Sequence, residues 1–192
     1  MTEQIVRWPI PPQDGYSSEA FLALSDLPPH TELIDGSLVF MAPQRDIHGV
    51  IIDVVTQVLR AAAPTTLKVR REMALVLSEA TTVEPDVAVV TAESVRGADQ
   101  TSYRPTDVVL AVEVSSPSSL ERDRDTKPHK YAGAGIRYYW RIERKDAGRL
   151  VTYTYELDDD LGRYRQTGTY VNTVTVQQPF PIDLDLSAAE VL

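Results

Sequence analysis

The sequence predicts an α+β fold in which a central mixed β-sheet is flanked by helices, with one β-hairpin near each end of the chain. The order of predicted elements from residue 47 to residue 143 is helix, three strands, helix and strand, which packs helices against a sheet. The apolar run D-V-V-L-A-V-E-V-S-S at 107–116 is typical of a strand buried on both faces. At 192 residues, 43% of them hydrophobic, the chain is long enough for one hydrophobic core, so residues 1–192 are expected to form a single domain.

The N-terminal part contains an arm, a short helix and a hairpin. Residues 1–16 are rich in proline and lack periodicity, which predicts an extended N-terminal arm. Ser17 or Ser18 can cap a short helix that follows the arm. Two β-rich runs then flank Asp35-Gly36, the residue pair that most strongly indicates a hairpin turn.

The middle and C-terminal parts alternate between helix and strand patterns. Apolar residues recur at helical spacing from Ile47 to Ala62, and Asp46 is the predicted cap of this helix. The remaining predicted elements are strands at 67–78, 86–90, 107–116 and 136–142, a helix at about 128–134, and a C-terminal hairpin formed by 149–157 and 163–176. The strands of the middle part are expected to form the central sheet.

The composition excludes several function classes. The chain has no cysteine, which excludes disulfides and thiolate metal sites and makes a reducing cytoplasm the expected location. No apolar run reaches the roughly 20 residues of a membrane span, and the N-terminus lacks the layout of a signal peptide. No membrane partner is therefore expected.

The charge distribution leaves nucleic-acid binding open. A net charge of −9 argues against bulk binding to nucleic acid. The segment 120–149 nevertheless holds nine basic and five acidic residues, directly after the strand at 107–116. An ordinary solvated surface and a surface that faces phosphates both fit this segment equally well.

Two carboxylates are the leading candidates for a functional site. Glu113 lies inside an apolar strand, and a buried unpaired charge costs several kcal/mol, so a cation, a metal ion or a hydrogen-bond network should face it. Asp86 opens the preceding strand directly after Pro85, and consecutive strands are often neighbours, so the two carboxylates can converge. Two oxygen ligands suit Mg²⁺ or Mn²⁺. Alternatively, Asp86 is a turn residue and Glu113 forms a buried ion pair with Lys127 or an arginine.

These residues lead to a family resemblance. Pro85-Asp86 followed by Glu113-Val114-Ser115 resembles the active-site signature of the PD-(D/E)XK nucleases, and the element order is similar to the core of the restriction-endonuclease-like fold. Over nearly its full length the chain resembles the bacterial branch of restriction endonucleases called Uma-two. The resemblance rests on Glu32-Leu-Ile-Asp-Gly36, His48, Pro85-Asp86, Val112-Glu-Val-Ser-Ser-Pro-Ser118, Asp123 with Lys127, and Tyr138-Tyr-Trp140.

The resemblance implies an endonuclease that uses Mg²⁺ or Mn²⁺ to hydrolyse phosphodiester bonds of DNA. It implies that Asp86 and Glu113 hold the metal ion, and that Lys127 acts with them in catalysis. Glu32, His48 and Ser115 are possible additional site residues. A homodimer is expected by analogy, because two-fold dimers are common and a duplex favours one.

One position departs from the signature. The superfamily pattern has lysine two residues after the glutamate, where this chain has Ser115, and Lys127 is the expected replacement. Lys127 could instead be an exposed lysine in a polar loop, Glu32 an exposed hairpin residue, and His48 a structural histidine. Two rival functions therefore stay open: a catalytically inactive nuclease-fold protein that binds DNA or a protein partner, and a pure interaction protein. A glycosidase is disfavoured by the scarcity of aromatic residues.

Overall fold

The structure, a computed structural model, describes residues 9–187 and 189. Its α-helices are α1 (Ser18–Leu22), α2 (Asp46–Ala62) and α3 (Lys127–Gly133), and a π-helical turn at Arg122–Thr126 directly precedes α3. The strands are β1 (Glu32–Ile34), β2 (Ser37–Val39), β3 (Leu67–Arg71), β4 (Ala74–Ser78), β5 (Thr81–Val83), β6 (Val87–Thr91), β7 (Ser102–Tyr103), β8 (Val108–Ser115), β9 (Tyr138–Arg144), β10 (Leu150–Asp158), β11 (Arg163–Val171), β12 (Thr173–Val176) and β13 (Ile182–Asp185).

The largest sheet has six strands in the order β11-β10-β9-β8-β6-β3. Strands β8 and β9 run parallel, and the other neighbours in this sheet are antiparallel. The predicted α+β fold with a central mixed sheet is therefore confirmed. A five-stranded sheet in the order β2-β1-β5-β4-β7 and a two-stranded sheet of β12 and β13 accompany it.

Helix α2 covers one face of the six-stranded sheet. Its buried residues Ile51, Val55 and Leu59 recur at helical spacing and pack against the side chains of β8 and β9 that point the same way, such as Val112 and Trp140. Side chains alternate along a strand, so Ala111 and Tyr139 point to the opposite face, where α3 and the five-stranded sheet pack. Glu113 shares the face of Ala111 and thus points toward α3.

Two predicted strands are interrupted by residues with left-handed backbone. The prediction of one strand over 67–78 was wrong, because Glu72 has φ 49° and divides it into β3 and β4, which belong to different sheets. Asn172, with φ 59°, likewise divides the predicted strand at 163–176 into β11 and β12. The predicted pairing of β10 with β11 is present as an antiparallel hairpin.

The ends of the remaining predicted helices and strands differ from the structure by one or two residues. Arg45 occupies the cap position of α2, and Asp46 is the first helical residue. Helix α3 begins at Lys127, one residue before the predicted start. Residues 1–8 of the predicted arm lie outside the described residues, and residues 9–16 form no helix or strand. Among the described helices, none has the length and apolar character that a membrane crossing needs.

The predicted hairpin turn at Asp35-Gly36 is present, and it contacts the arm. Both residues have positive φ, 49° and 78°, as the favoured two-residue hairpin turn requires. Gly15 packs on this turn with φ 79°, and a Cβ atom at Gly15 would lie 2.8 Å from the carbonyl oxygen of Gly36. Only glycine therefore fits here without a backbone shift.

Replacement of Gly15 by alanine is expected to lower the free energy of unfolding by about 1 to 2 kcal/mol, because the left-handed backbone disfavours a side chain. Gly49 is the matched control, since it lies in α2 and a Cβ atom there would have open space around it. Gly49→Ala is expected to raise the same free energy by about 0.5 to 1 kcal/mol. Urea unfolding measures both, and changes of the same sign would contradict this account.

Candidate active site

Asp86 and Glu113 lie opposite each other on neighbouring strands. Strands β6 and β8 are antiparallel with Val87 paired to Val112, so continuing the pairing by one residue brings Asp86 opposite Glu113. Both side chains line one small cavity of about 50 Å³. Strand pairing thus places the two predicted carboxylates on the same side of the sheet.

Asp86 is fixed by two hydrogen-bonding contacts. Its Oδ2 atom accepts a hydrogen bond from the backbone N–H of Val114 at 2.6 Å. Its Oδ1 atom lies 3.0 Å from Nε2 of His48, in the first turn of α2. The carboxylate is therefore oriented by the helix on one side and by strand β8 on the other.

Glu113 is 3% exposed, and α3 supplies its partners. Its Oε1 atom accepts a hydrogen bond from Lys127 Nζ at 3.0 Å and another from the hydroxyl of Tyr131 at 2.6 Å. Lys127 and Tyr131 are four residues apart on α3, so both point from the same helix face toward the sheet. Lys127 and Tyr131 thus provide the cation and the hydrogen-bond donor that a buried carboxylate requires.

Lys127 stands at the centre of a carboxylate cluster. It is 3% exposed, which excludes the alternative of a solvent-exposed loop lysine. The cluster consists of the carboxylates of Glu32, Glu113 and Asp123, which lie 2.9, 3.0 and 3.8 Å from Lys127 Nζ. Pro128 is compatible with this position because proline is tolerated in the first turn of a helix.

Glu32 and Asp123 are both buried, at 1% exposure each, so Glu32 is not an exposed hairpin residue. The Oε1 atom of Glu32 accepts from the backbone N–H of Glu84 at 2.9 Å, whereas its Oε2 atom is buried and has no hydrogen-bond partner among the described residues. Asp123 Oδ2 accepts from Ser119 Oγ at 2.7 Å. Glu32 Oε2 is thus a buried oxygen that is available to a ligand.

Burial and mutual repulsion determine the charge state of the cluster. Burial raises the pKa of Glu113 well above its ordinary value; Lys127 opposes this rise, and neighbouring carboxylates including Asp123 add to it. Burial also raises the pKa of Asp123. Burial alone would lower the pKa of Lys127, but the surrounding carboxylates raise it well above its ordinary value, so the ammonium stays charged.

His48 and Ser115 occupy different places. His48 lines the small cavity through its contact with Asp86, and its Nδ1 atom is buried without a hydrogen-bond partner among the described residues. Ser115 lies at the end of β8 and lines a neighbouring larger groove, not the small cavity. His48 is thus brought to Asp86, whereas the Ser115 hydroxyl interacts with Asp123 and opposes the rise in the pKa of that carboxyl.

Tyr131 and Asp123 are not among the site residues predicted from the sequence. The spacing of four residues between Lys127 and Tyr131 is the sequence feature that indicates Tyr131. Asp123 entered only as part of the family resemblance, and it lies the same distance before Lys127 in the chain. A spacing of four residues on either side of Lys127 is therefore the sequence feature that indicates both Asp123 and Tyr131.

The larger groove adjoins the small cavity and has a volume of about 580 Å³. His48 lines both spaces, so they meet at this residue. The basic side chains along the groove are Arg45, Arg124, Arg144 and Lys145. A negatively charged chain molecule could lie in this groove with one of its groups beside Asp86.

The donor chemistry at the small cavity suits a hard divalent ion. Asp86 and Glu113 provide carboxylate oxygens, and Glu32 Oε2 is buried nearby without a hydrogen-bond partner among the described residues. Within residues 9–187 and 189, no three histidine or acidic side chains converge as a preformed metal cage. The site therefore has the ligand types for Mg²⁺ or Mn²⁺, with Lys127 occupying part of the space between them.

Comparisons with known proteins agree with this picture. A protein-family model, Uma2, described as "Putative restriction endonuclease", matches residues 18–189. A crystal structure of "a putative nuclease belonging to DUF820" from Anabaena variabilis superposes with a TM-score of 0.69 at 14% identity, covering 91% of this chain and 97% of that chain. At this identity the likeness concerns the fold, and it confirms the predicted nuclease-type fold. No curated protein matches the sequence.

Proposed function

Because this chain belongs to the Uma2 family, described as putative restriction endonucleases, we propose that it is a metal-dependent endonuclease that hydrolyses phosphodiester bonds of DNA. The family resemblance stated from the sequence is thereby confirmed. One observation carries the proposal: the buried ammonium of Lys127 contacts Glu113 and Glu32 beside Asp86, where the small cavity meets a groove lined by basic side chains.

In this proposal Asp86 and Glu113 hold Mg²⁺ or Mn²⁺. The charge balance supports a divalent ion. Several carboxylates face the cavity or surround Lys127, and the single positive charge of the Lys127 ammonium is smaller than their combined negative charge. When bound, such an ion would supply Lewis-acid activation of the phosphate and of an attacking water. His48 and the backbone N–H of Val114 keep the Asp86 carboxylate oriented toward the cavity.

Lys127 supplies the positive charge that Ser115 cannot. Its ammonium stays protonated and is held in one position by Glu113 and Glu32, so no reorganisation is needed when charge develops on phosphate oxygens. The hydroxyl of Tyr131 donates to Glu113 and limits the rotation of that carboxylate. Lys127 therefore orients the attacking water or stabilises the developing negative charge, and Tyr131 and Glu32 position the groups that do so.

The proposal also includes the assembly and location of the enzyme. A homodimer would present two such sites to the two strands of a duplex. A chain without cysteine suits a reducing cytoplasm, where the DNA substrate would be encountered. Light scattering coupled to gel filtration, with and without duplex DNA, measures the assembly, and a monomer under both conditions would contradict the dimer.

The decisive test of the proposed function is cleavage of supercoiled plasmid and of single-stranded DNA in Mg²⁺, Mn²⁺ or EDTA. Nicked or linear products are expected with either metal ion and not with EDTA. Glu113→Gln, purified in parallel, is the control for contaminating nucleases. No products with either ion, or equal products from the variant, would overturn the proposal.

A second candidate function is DNA binding without cleavage by an inactive nuclease fold. It is favoured by the fact that Glu113 Oε1 already accepts hydrogen bonds from both Lys127 and Tyr131. Among the described residues no three histidine or acidic side chains are placed so that they could hold a metal ion, which favours it as well. Salt-sensitive DNA binding with no product under any metal condition would establish this second function. Neither binding nor cleavage would point to an interaction protein.

A further inference from the structure

A further buried carboxylate, Glu143, organises a group of cations away from the Asp86 and Glu113 pair. Glu143 is 2% exposed and lies on β9, in register with Ser115 on β8. Arg124 donates to it through Nε at 2.9 Å and Nη2 at 2.8 Å, so its guanidinium binds both carboxylate oxygens. Arg141 Nε donates at 2.7 Å, and Lys145 Nζ also contacts the carboxylate. Three cations thus surround one carboxylate.

The cluster is fixed and carries excess positive charge. Burial raises the pKa of Glu143, but hydrogen bonds from Arg124 and Lys145 lower it to about 2, so the carboxylate is ionised throughout the physiological pH range. The guanidinium of Arg141 also lies over the ring of Tyr153, 4.7 Å from its centroid. Without Glu143, three like charges at this spacing would repel one another and separate.

The cluster faces the larger groove. Arg124 and Lys145 line the groove together with Glu143, and their side chains are 39% and 33% exposed. Arg124 uses Nε and Nη2 on Glu143, whereas Nη1 lies 3.8 Å from the largely exposed Glu121. Arg124 and Lys145 therefore each have a position set on one side by Glu143 and a solvent-facing side on which a phosphate could bind.

We infer that Glu143 is a positioning residue that holds Arg124 and Lys145 as a phosphate-binding subsite for the backbone of a nucleic-acid chain lying in the larger groove. The groove begins at His48, beside Asp86, so this subsite would bind a phosphate that flanks the one in the small cavity. The inference rests on the proposed function in one respect, namely that the ligand is nucleic acid. It adds a binding role for residues that take no part in the chemistry.

The test compares two substitutions that each remove one negative charge from the groove and that should change the affinity for DNA differently. Removing a negative charge from a DNA-binding groove normally strengthens binding. Asp146→Asn does this at an exposed residue of the same groove and is expected to strengthen binding slightly or leave it unchanged. Glu143→Gln removes the same charge but releases the cations, so it is expected to weaken binding about 3- to 10-fold. Anisotropy of labelled single-stranded and duplex oligonucleotides, measured in EDTA, gives both values.

The dependence of affinity on salt separates positioning from general destabilisation. Arg124→Met and Lys145→Met should each reduce the slope of log affinity against log salt by about 1. In the background of both methionine substitutions, Glu143→Gln should have no further effect on binding, because the residues it positions are gone. Thermal melting confirms that each variant is folded. If Glu143→Gln does not fold, unchanged salt slopes in the two methionine variants overturn the inference.

Failure of this inference is distinguishable from failure of the proposed function. Binding is measured without metal ions, so the expected pattern can appear in a protein that never cleaves. That result would support the subsite and reject the nuclease. Metal-dependent cleavage combined with tighter or unchanged binding by folded Glu143→Gln would reject the subsite alone.

Discussion

Replacement of Lys127 by methionine is expected to abolish cleavage and to lower the free energy of unfolding at neutral pH by about 3 to 5 kcal/mol. Lys127 is 3% exposed and is the ammonium that Glu113 and Glu32 contact at 3.0 and 2.9 Å. Methionine keeps the length of the side chain but leaves buried carboxylates without their cation. Urea unfolding measures the loss of stability, and plasmid cleavage normalised to folded protein measures the loss of activity.

Two variants test whether the charge and its position cause these effects. Lys130 lies on the same helix with a side chain 29% exposed and pairs with the exposed Asp35, so Lys130→Met should cost less than about 1 kcal/mol and preserve cleavage. Lys127→Arg should restore part of the stability and little activity, because a planar guanidinium does not replace a compact ammonium. Full cleavage by folded Lys127→Met would show that another group supplies the catalytic charge.

Addition of Mg²⁺ or Mn²⁺ is expected to stabilise the native protein, and Asp86→Asn is expected to eliminate this stabilisation together with cleavage. An ion that binds only the folded state stabilises it by about 2.7 kcal/mol when the ion concentration is a hundred times the dissociation constant. For a chain of this length, that corresponds to a rise of about 5 to 10 °C in melting temperature. Asp86 and Glu113 line the same cavity, so loss of one carboxylate removes half of the proposed ligand pair. Melting curves with and without metal ion measure the effect.

The stabilisation of the native protein by the metal ion should also increase as the pH rises. The folded-state pKa values of Glu113 and Asp123 are raised, chiefly by burial, so the stability linked to their protonation is present at low pH and is lost as pH rises through those values. A divalent ion replaces the proton as the compensating positive charge. The metal-induced shift in melting temperature should therefore be larger near pH 8 than near about pH 5. If the melting temperature of Asp86→Asn shifts equally on addition of metal ion, the ion binds elsewhere, such as in the segment 156–192, which holds seven acidic and two basic residues.

Local sequence signals predicted the fold where they were strong. The apolar periodicity of α2 and the Asp35-Gly36 pair predicted a helix and a turn that the structure contains. The strand breaks at Glu72 and Asn172 were missed, because a non-glycine residue with positive φ gives no clear signal in the sequence. Their conformations depend on which sheet each half of the strand joins, and that is decided by tertiary packing.

The candidate site was predictable in part, for a related reason. An acidic residue inside an apolar strand is conspicuous, so Glu113 could be found from the sequence. The position of Asp86 at the start of the preceding strand indicated the second carboxylate, and the family resemblance implied the catalytic role of Lys127. Glu143 could not be distinguished from a surface glutamate, because its burial depends on Arg124 from the π-helical turn and on Arg141 from its own strand. Polar residues that are buried by other elements leave no pattern in their own segment.

The ion pair between Lys127 and Glu32 joins parts of the chain that are made at different times during synthesis. Glu32 belongs to the five-stranded sheet, Lys127 begins α3, and Glu113 lies in the six-stranded sheet, so the cluster exists only after all three have docked. Strand β9, which neighbours Glu113, is translated later still. A ribosome-bound fragment that ends before Lys127 therefore lacks the ammonium that the carboxylates of the site surround. Under the proposed function, such a fragment would be harmless to DNA.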